Sequence, residues 1–408
     1  FSKHGGKITE QWVTDVKSPL VCGASAAFHD GKIHILIGTK SGALVCLDEQ
    51  GRQIWNFGAS ESVGDVEAYF LDESRIHSID AAPLITDINL DGMPEVIIGT
   101  ERGIIYCLTI TGQLLWKHDC GGSIKASPII ADVNSDGRQE IVVGSMNNKL
   151  TALAANGKVL FEFRTDAPIE SAPAIWNAKK PLIVFGANNG LFTAITATQE
   201  IVWRVDLHDK ITAAPAIYHD GEPRCVIGTH GGKIYCLNNQ GTPIWEFTTK
   251  GSIYSAATVA DIDGDSRPEI LITSCDNCVY ALNGNGQRLW RFETDFWITS
   301  TPIIADLDMD GRQEIIIGSY DNNVYVLDCE GTYQLDYVPG LSGIMNQSGH
   351  YATMLTSDPG EPTGKKLYQY TSDGIIVGCT LLSIKDQKPA LIVNTKNGRV
   401  RVLRHSEE

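Results

Sequence analysis

Short apolar runs recur along the chain, and turns that contain glycine separate them. The apolar residues at 141–143 and 315–317 do not alternate with polar ones, so both faces of these predicted strands must be covered. One phrase returns as strand, turn, strand, turn and aromatic strand, for example IIGTERGIIYCLTITGQLLW and VIGTHGGKIYCLNNQGTPIW. The pattern predicts an all-β chain that is built from repeats.

The residue that ends each copy of this phrase sets the length of the repeat. It stands at Trp12, Trp55, Trp116, Phe161, Trp203, Trp245, Trp290 and Leu335. Neighbouring copies are 42 to 45 residues apart, except where an insertion separates Trp55 from Trp116. A further strand, as in IKASPIIADV, precedes the phrase and makes four strands per repeat. Four strands in about 40 to 45 residues are the period of a β-propeller blade.

The two ends of the chain predict how the ring closes. The last copy, ALIVNTKNGRVRVL, stops before its aromatic strand, whereas an aromatic strand, ITEQWVTDV, opens the sequence. We therefore expect the N-terminal strand to complete the last blade. The count predicts one domain over residues 1–408, an eight-bladed β-propeller with four antiparallel strands per blade. Its inner strands are expected to start near Leu20, Ile79, Ile124, Ile169, Ile211, Ile253, Ile298 and Ile376.

These copies resemble the PQQ-like (quinoprotein alcohol dehydrogenase-like) propeller repeat, through the signature G-x-x-x-A/C-L-D-x-x-G-x-x-x-W. Four of them also carry an insertion that resembles the FG-GAP or VCBS repeat. The resemblance implies a propeller fold, which hosts enzymes, lectins and scaffolds alike. Quinone-dependent dehydrogenases of this kind typically place an adjacent cysteine pair over the cofactor, but no two of the ten cysteines here are neighbours. PQQ is therefore not expected.

An acidic loop that occurs four times is the strongest chemical signal. Oxygen ligands stand at positions 1, 3, 5 and 9 of each loop, which joins an innermost strand to the next one. A cation that takes six to eight oxygens fits this spacing, and Ca²⁺ fits it best. We predict up to four structural calcium sites; an Asx-rich turn without metal is the alternative. The predicted ligands are Asp87, Asn89, Asp91, Glu95, Asp132, Asn134, Asp136, Glu140, Asp261, Asp263, Asp265, Glu269, Asp306, Asp308, Asp310 and Glu314.

Two insertions, about 61–78 and 339–373, are predicted on connections between blades, at the face opposite the calcium loops. Long loops in a compact body are usually functional or disordered. Residues that follow the first apolar residue of each inner strand should surround the mouth of the central channel. A ligand that carries hydroxyls or charges would use them, although ion-paired walls around water are the alternative. The candidate ligand-binding residues are Asp80, Lys125, Glu170 and Tyr254 at the mouth, and His350 and Lys365 in the second insertion.

The charge balance narrows the classes of partner. The chain has 33 basic and 49 acidic residues, a net charge of −16, which disfavours nucleic acid and anionic membrane surfaces. No apolar run approaches the roughly 20 residues of a membrane-spanning helix, so membrane insertion is not expected. Unpaired cysteines are commoner in the cytosol, but calcium sites of modest affinity fill outside it, so a secreted or periplasmic location is favoured over a cytoplasmic one.

Three classes of function remain. The chain contains no nucleophile elbow, H-E-x-x-H motif or phosphate-binding glycine loop, which favours a non-catalytic binding or scaffold propeller. Such a protein would be a monomer, stabilised by calcium, that recognises a protein or glycan partner through its insertions. The alternative is a carbohydrate-active protein, either a lectin or a calcium-assisted polysaccharide lyase, in which a Lys, Tyr or His acts as the base. A quinone-dependent dehydrogenase is the third class.

Overall fold

The computed structural model describes residues 6–59, 77–177, 180–333, 362–383 and 388–407. These residues form strands, turns and irregular connections. In this described part of the chain, no helix has the length and apolar character that crossing a membrane requires. The strands are β1 Lys7–Asp15, β2 Ser25–His29, β3 Lys32–Gly38, β4 Ala43–Leu47, β5 Gln53–Gly58, β6 Leu84–Thr86, β7 Glu95–Gly99, β8 Ile104–Thr109, β9 Leu114–Asp119, β10 Ile129–Ala131, β11 Glu140–Ser145, β12 Lys149–Ala154, β13 Val159–Arg164, β14 Ala174–Trp176, β15 Leu182–Gly186, β16 Leu191–Ile195, β17 Ile201–Asp206, β18 Ala216–Asp220, β19 Glu222–Gly228, β20 Lys233–Leu237, β21 Pro243–Thr248, β22 Thr258–Ala260, β23 Glu269–Thr273, β24 Cys278–Leu282, β25 Arg288–Glu293, β26 Ile303–Ala305, β27 Glu314–Gly318, β28 Asn323–Tyr333, β29 Pro362–Thr371, β30 Ile376–Leu382, β31 Ala390–Thr395 and β32 Arg399–Ser406.

Consecutive strands pair antiparallel, which is the arrangement of a β-propeller. Among the described residues, six sheets contain four strands each, in the orders β2–β5, β6–β9, β10–β13, β14–β17, β18–β21 and β1-β32-β31-β30. The seventh sheet contains eight strands, in the order β22-β23-β24-β25-β29-β28-β27-β26. It consists of two antiparallel groups of four that meet only at one parallel pair, Arg291 and Thr363.

The N-terminal strand lies beside the last strand of the chain. Strands β1 and β32 pair antiparallel, and Trp12 lies opposite Val402. One apolar cluster joins residues of the first complete group, such as Leu20 and Ile35, to Ile392 of β31. The first and last parts of the chain therefore share both a sheet and a core.

The apolar residues of each group pack against the next group around the ring. The described residues form eight such clusters, and each of them combines residues from two adjacent groups. This packing explains the continuous apolar runs, because a strand such as Ile141–Val143 is buried on both faces. Glycines allow a close approach: a Cβ at Gly99 would lie 2.5 Å from Cγ2 of Ile124 in the next group.

The repeated tryptophan connects neighbouring groups. Trp55 Nε1 donates a hydrogen bond to the carbonyl of Ile110, at 3.1 Å, in the turn of the following group. Gly112 of that turn has φ +86°, and a Cβ there would lie 2.7 Å from the indole of Trp55. Trp12, Trp116, Trp245 and Trp290 donate to equivalent carbonyls at 2.8 to 3.2 Å. The turn glycine is thus required both by its backbone conformation and by the ring that covers it.

The inner strands begin later than the sequence predicts. Ile79, for example, is fully buried, but the paired strand β6 starts only at Leu84. Pro83 lies directly before β6, and Pro128 directly before β10. Proline has no N–H to donate to a neighbouring strand, so pairing starts after it.

The predicted boundaries of the second insertion are wrong. Residues Pro362–Thr371, placed by the sequence inside the insertion 339–373, form β29 and pair with β28. The outermost strand of this group is therefore β29, and not the segment around Leu335. Asp328 of β28 lies opposite Glu314, at the end of the acidic loop, and both β28 and β29 continue beyond this point. They therefore extend on the side of the acidic loop, and not on the opposite side, where the insertion was predicted. Residues 334–361 and 60–76, which contain most of both insertions, lie outside the described residues.

Candidate functional site

The segments that lead into the inner strands surround a cavity of about 510 Å³, called here the mouth cavity. In these segments a buried apolar residue, such as Ile79 or Ile124, is followed by a residue that faces the cavity. The sequence identifies these positions because adjacent residues of an extended chain point to opposite sides. Seven of the eight predicted positions line the mouth cavity, namely Val21, Asp80, Lys125, Glu170, Thr212, Tyr254 and Thr299.

Lys125 lies between two carboxylates from the preceding group. Its Nζ is 3.2 Å from Asp80 Oδ2 and also forms an ion pair with Glu101. Burial disfavours the charged ammonium, but the two carboxylates outweigh it and raise the pKa of Lys125. Burial likewise opposes ionisation of Asp80, yet hydrogen bonds from Ser78 and the charge of Lys125 lower its pKa. The cluster keeps its own cation and leaves one negative charge in excess.

Glu170 forms a second ion pair at the mouth. Its Oε2 accepts from Lys210 Nζ at 2.6 Å and from Asn188 Nδ2 at 3.2 Å. Lys210 precedes Ile211, at the start of the following inner strand. Both predicted mouth acids therefore have cationic partners from a neighbouring connection.

Aromatic side chains occupy the other side of the mouth. Tyr254 lines the cavity, and its hydroxyl lies 3.0 Å from Nε2 of His230, with the two rings edge to face. Phe296 and Trp297 lie on the next connection, directly before Ile298 and the cavity residue Thr299. Their rings stack with centroids 5.2 Å apart.

A second ring of residues surrounds the mouth and was not predicted. In each repeat, a pair such as Gly-Thr or Gly-Ser stands at the end of the second strand. The next residue donates its backbone N–H, at 2.8 to 3.0 Å, to a carbonyl in the segment that precedes the first strand of the same group. Glu101, Asn188 and His230 contact the predicted mouth residues from this ring. Their fixed place after the second strand is a periodic signal through which the sequence alone identifies them. The full set is Lys40, Glu101, Met146, Asn188, His230, Cys275, Tyr320 and Lys396.

Of the remaining two candidate ligand-binding residues, only Lys365 is described by the structure, and it does not line the mouth cavity. Lys365, expected in a mouth-face insertion, lies in the outermost strand β29, and its Nζ is 2.9 Å from Asp328 Oδ2. His350 lies outside the described residues. The structure therefore brings together Asp80, Lys125, Glu170 and Tyr254, and places Lys365 elsewhere.

The four acidic loops lie at the opposite ends of the inner strands and share one backbone conformation. In the first loop, Asp87 accepts the N–H groups of Asp91 and Gly92 at 3.0 and 2.8 Å, and Asn89 also accepts from Asp91. The same bonds recur in the second and fourth loops, whereas in the third loop Asp261 accepts from Gly264 and Ser266. In the third loop, Ser266 adopts φ +67° where the other three loops have glycine. The turn therefore forms without glycine at this position.

A buried glutamate closes each loop at position 9. Glu95, Glu140, Glu269 and Glu314 are all buried, and each accepts the N–H of position 2 at 2.7 to 3.0 Å. Burial, followed by the nearby aspartates, raises the pKa of Glu269 to about 7 and that of Glu314 to about 8. Carboxylate groups held this close repel one another unless a proton or a cation neutralises them.

The fourth loop is the most suitable for a cation. Ligand oxygens of Asp306, Asp308 and Glu314 lie within 4.8 Å of one another. Glu314 is 1% exposed, and its Oε1 has no hydrogen-bond partner. An unpartnered buried carboxylate oxygen that faces two further carboxylates suits a hard cation with oxygen ligands. In the third loop, Asp261, Asp263 and Asp265 form a similar but exposed group.

Comparisons with known proteins support the fold. Residues 121–208 and 252–339, less than half of the chain, match the family described as the lambda-carrageenase beta-propeller domain. BamB from Moraxella catarrhalis superposes with a TM-score of 0.63 at 17% identity, over 97% of each chain. Sqt1 from Saccharomyces cerevisiae gives 0.69 at 10% identity, over 98% of this chain and 99% of that one.

A third similar structure contains a protein partner. BBS1N in complex with ARL6DN gives a TM-score of 0.53 at 12% identity, over 79% of this chain and 91% of that one. A sequence comparison with curated proteins gave no significant match. At these identities the similarity establishes the architecture only. The chain therefore has a β-propeller fold.

Proposed function

We propose that this chain is a non-catalytic binding propeller that is stabilised by calcium and recognises a protein partner at its mouth face. The observation that carries the proposal is the pairing of mouth charges. Lys125 is held by Asp80 and Glu101, and Lys210 is held by Glu170, so each of these lysines already has a carboxylate partner. A general base or nucleophile requires a side chain with an accessible reactive atom, which such pairing does not favour.

The cysteines also support a binding function. Burial raises the pKa of all ten thiols, for example to about 12 for Cys107 and Cys278. A nucleophilic cysteine requires a lowered pKa and access to substrate. These residues instead serve as small packing groups, and all ten are free thiols.

We also propose eight blades. The support is that each of the eight apolar clusters lies between two four-stranded groups, and that the ring of mouth hydrogen bonds recurs eight times. The eight-stranded sheet would then represent two adjacent blades, joined by the single pair of Arg291 with Thr363.

Calcium would act here as a structural ion. The support is the shared geometry of the four loops and the unpartnered oxygen of Glu314. A bound cation would neutralise the aspartates and link each innermost strand to its neighbour. The loops lie at the end of the strands opposite the mouth cavity, so the ion would stiffen the blades without contacting the partner.

Site-specific crosslinking tests the proposed binding face. A photoreactive residue is placed at the mouth, by Thr299→p-benzoylphenylalanine, and at an outer strand as a matched control, by Ile244→p-benzoylphenylalanine. Irradiation in extract of the source cells should give one defined protein adduct from the mouth position only, identified by mass spectrometry. Equal adducts from both positions, or no adduct from either, would contradict a protein-binding mouth.

A carbohydrate-active protein is the second candidate. It is favoured by the match to a lambda-carrageenase propeller domain and by the half-exposed aromatic rings at the mouth. Aromatic faces can stack on sugar rings, and a mouth tyrosine such as Tyr254 would be the candidate base. Incubation with carrageenan, followed by a reducing-end assay and by size analysis of the product, decides between cleavage, binding and neither.

A further inference from the structure

Phe296 and Trp297 occupy a position at which no other described copy of the repeat carries two aromatic residues. Equivalent residues are Gly-Ser at 251–252, Gly-Ser at 122–123 and Asp-Lys at 209–210. The stacked rings are nevertheless 46% and 48% exposed. Burial of a large aromatic side chain stabilises the folded state, and these two side chains lose about half of that stabilisation because they are half exposed.

The backbone beneath the pair does not depend on the aromatic side chains. The carbonyl of Phe296 accepts from Thr294 Oγ1 at 2.6 Å, and that of Trp297 accepts from the N–H of Tyr320 at 2.9 Å. In the preceding copy, the carbonyl of Gly251 accepts the equivalent threonine bond at 2.9 Å. Because the same framework forms over glycine and serine, the fold does not require Phe296 and Trp297. A contact with a ligand would explain why both side chains are exposed.

Two carboxylates lie beside the aromatic pair. Asp321 Oδ2 accepts the backbone N–H of Asp295 at 3.0 Å and the hydroxyl of Tyr325 at 2.7 Å, while its Oδ1 accepts the N–H of Asn323. The hydrogen bonds and ion pairs of the described residues give neither carboxylate a lysine or arginine partner. Both carboxylate oxygens of Asp321 already accept hydrogen bonds. Asp321 therefore attracts a neighbouring ligand through its negative charge rather than by accepting a hydrogen bond from a ligand hydroxyl.

The charge of the chain favours a cation over an anion. Two lysines near the mouth cavity already have carboxylate partners: Lys125 pairs with Asp80 and Glu101, and Lys210 pairs with Glu170. The whole chain carries a net charge of −16. A polyanionic ligand would therefore meet repulsion here, whereas a cation would be attracted.

We propose that Phe296 and Trp297, flanked by Asp295 and Asp321, bind an arginine or lysine side chain on a basic peptide segment of the partner protein. The cation would lie over an aromatic face while the carboxylates balance its charge. The adjoining mouth cavity, which begins two residues further on at Thr299, would accept the neighbouring part of the peptide. This inference rests on the proposed binding function and specifies the chemistry of the partner.

Binding of a labelled peptide tests the inference directly. The probe is a fluorescein-labelled peptide of alternating arginine and glycine, and its matched control replaces each arginine by the uncharged isostere citrulline. Fluorescence anisotropy measures the affinity of the intact chain for both. The arginine peptide should bind about tenfold more tightly than the citrulline peptide. This difference should shrink as salt screens the charges. Equal affinities would overturn the inference.

Three variants locate the binding. F296G/W297S copies the residues of the preceding repeat, so it should fold and lose about tenfold in affinity for the arginine peptide. D295N should weaken binding severalfold, because it removes charge without changing shape. L114S, on an outer strand, is the control for an exposed apolar side chain and should bind as the parent does. Circular dichroism and thermal unfolding check that each variant folds. Unchanged affinity in folded F296G/W297S would refute the assignment.

Competition by an oligosaccharide and crosslinking of F296G/W297S give the remaining outcomes of the test. A neutral oligosaccharide that displaces the arginine peptide and requires Phe296 and Trp297 would identify a glycan site and overturn the peptide assignment. If F296G/W297S still forms the protein adduct from Thr299→p-benzoylphenylalanine at the parental yield, the inference fails while the binding function stands. If the parent forms no adduct and binds no peptide, both fail.

Discussion

The guanidinium of Arg401 in β32 lies 3.2 Å from the carboxylate of Glu10 in β1 and connects the last strand to the first. Arg401 also pairs with Asp373, and the hydroxyl of Tyr370 donates to the same Glu10 oxygen at 2.5 Å. The Arg401 side chain is only 4% exposed. These contacts join β1 to β32 and also to β29, so the ring closure contains ion pairs around a buried arginine in addition to its backbone ladder.

Replacement of Arg401 should therefore weaken the closure. Arg401→Met removes the buried guanidinium, but Glu10 and Asp373 are 35% and 42% exposed and keep part of their hydration. We therefore expect the free energy of unfolding to fall by about 2 kcal/mol, less than for a fully buried pair. Arg399→Met is the control, because Arg399 also pairs with Asp373 but is 44% exposed, and an exposed pair should lose less than about 1 kcal/mol. Urea titration measures both. Equal losses would show that burial of Arg401 does not determine its contribution.

The tryptophan contacts between groups predict a steric effect at Gly112. Gly112→Ala places a methyl group 2.7 Å from Trp55 at a residue with φ +86°. Gly221→Ala is the matched control, since Gly221 has φ +72° and nothing within 4 Å of a new Cβ. Both variants incur the left-handed strain of about 1 to 2 kcal/mol, and Gly112→Ala should lose about 2 kcal/mol more through overpacking.

Thermal unfolding of the two glycine variants, measured side by side, gives this difference. A melting temperature for Gly112→Ala equal to that of Gly221→Ala would mean that Trp55 moves aside without cost. The docking of the tryptophan on the turn would then contribute little to the contact between the groups.

Calcium should raise the stability of the metal-free chain. An ion present at about 100 times its Kd would stabilise the folded state by about 2.7 kcal/mol per site. Glu314→Gln removes one charge from the most enclosed loop and should reduce the calcium-dependent rise in melting temperature. Glu330→Gln, at an exposed position of β28, is the control and should retain it. A melting temperature that is unaffected by calcium or by a chelator would contradict the structural sites.

The Lys125 cluster predicts a defined pH dependence. The pKa of Lys125 is raised above 10.5, so its contribution is complete below that pH and is lost as pH rises through the raised value. The pKa of Asp80 is lowered below 3.8, so its contribution is present above that pH and is lost as pH falls further. Glu101 opposes part of the effect, because burial raises its pKa.

Comparison of the parent with Lys125→Met across pH measures this contribution. The parent should be more stable by about 1 kcal/mol near neutral pH, as is typical of partly exposed pairs. The difference should decrease at both extremes of pH. A difference that stays constant from acid to alkaline pH would mean that Lys125 acts through packing of its alkyl chain alone.

The sequence predicted the repeating units because glycine, tryptophan and the apolar runs recur wherever the backbone must turn or pack. It also predicted Asp80, Lys125, Glu170 and Tyr254 at the mouth, since the residue after a buried one in an extended chain faces the opposite side. Strand β29 was missed because its residues, PTGKKLYQYT, carry neither the turn glycine nor the tryptophan. Its place is determined by pairing with β28, a contact between residues that are distant in sequence.

Phe296 and Trp297 were not predicted as site residues, because nothing in the sequence distinguishes an exposed aromatic residue from a buried one. Apolar residues in a repeat suggest packing, and only the structure reveals that Phe296 and Trp297 remain half exposed. Glu101 and His230 were missed because the turns that hold them differ in residue type from copy to copy, although their position after the second strand is constant. The recurring backbone hydrogen bonds show why that position lies beside the mouth.

The pairing of β1 with β32 also dictates an order of events during synthesis. Strand β1 is translated before the other described strands and its partner β32 after them, so the edge of β1 stays unsatisfied until the rest of the ring exists. A circularly permuted gene that begins at the β18–β19 hairpin would make the two strands neighbours in sequence. Such a permutant should close sooner after translation and spend less time with an exposed edge that invites aggregation.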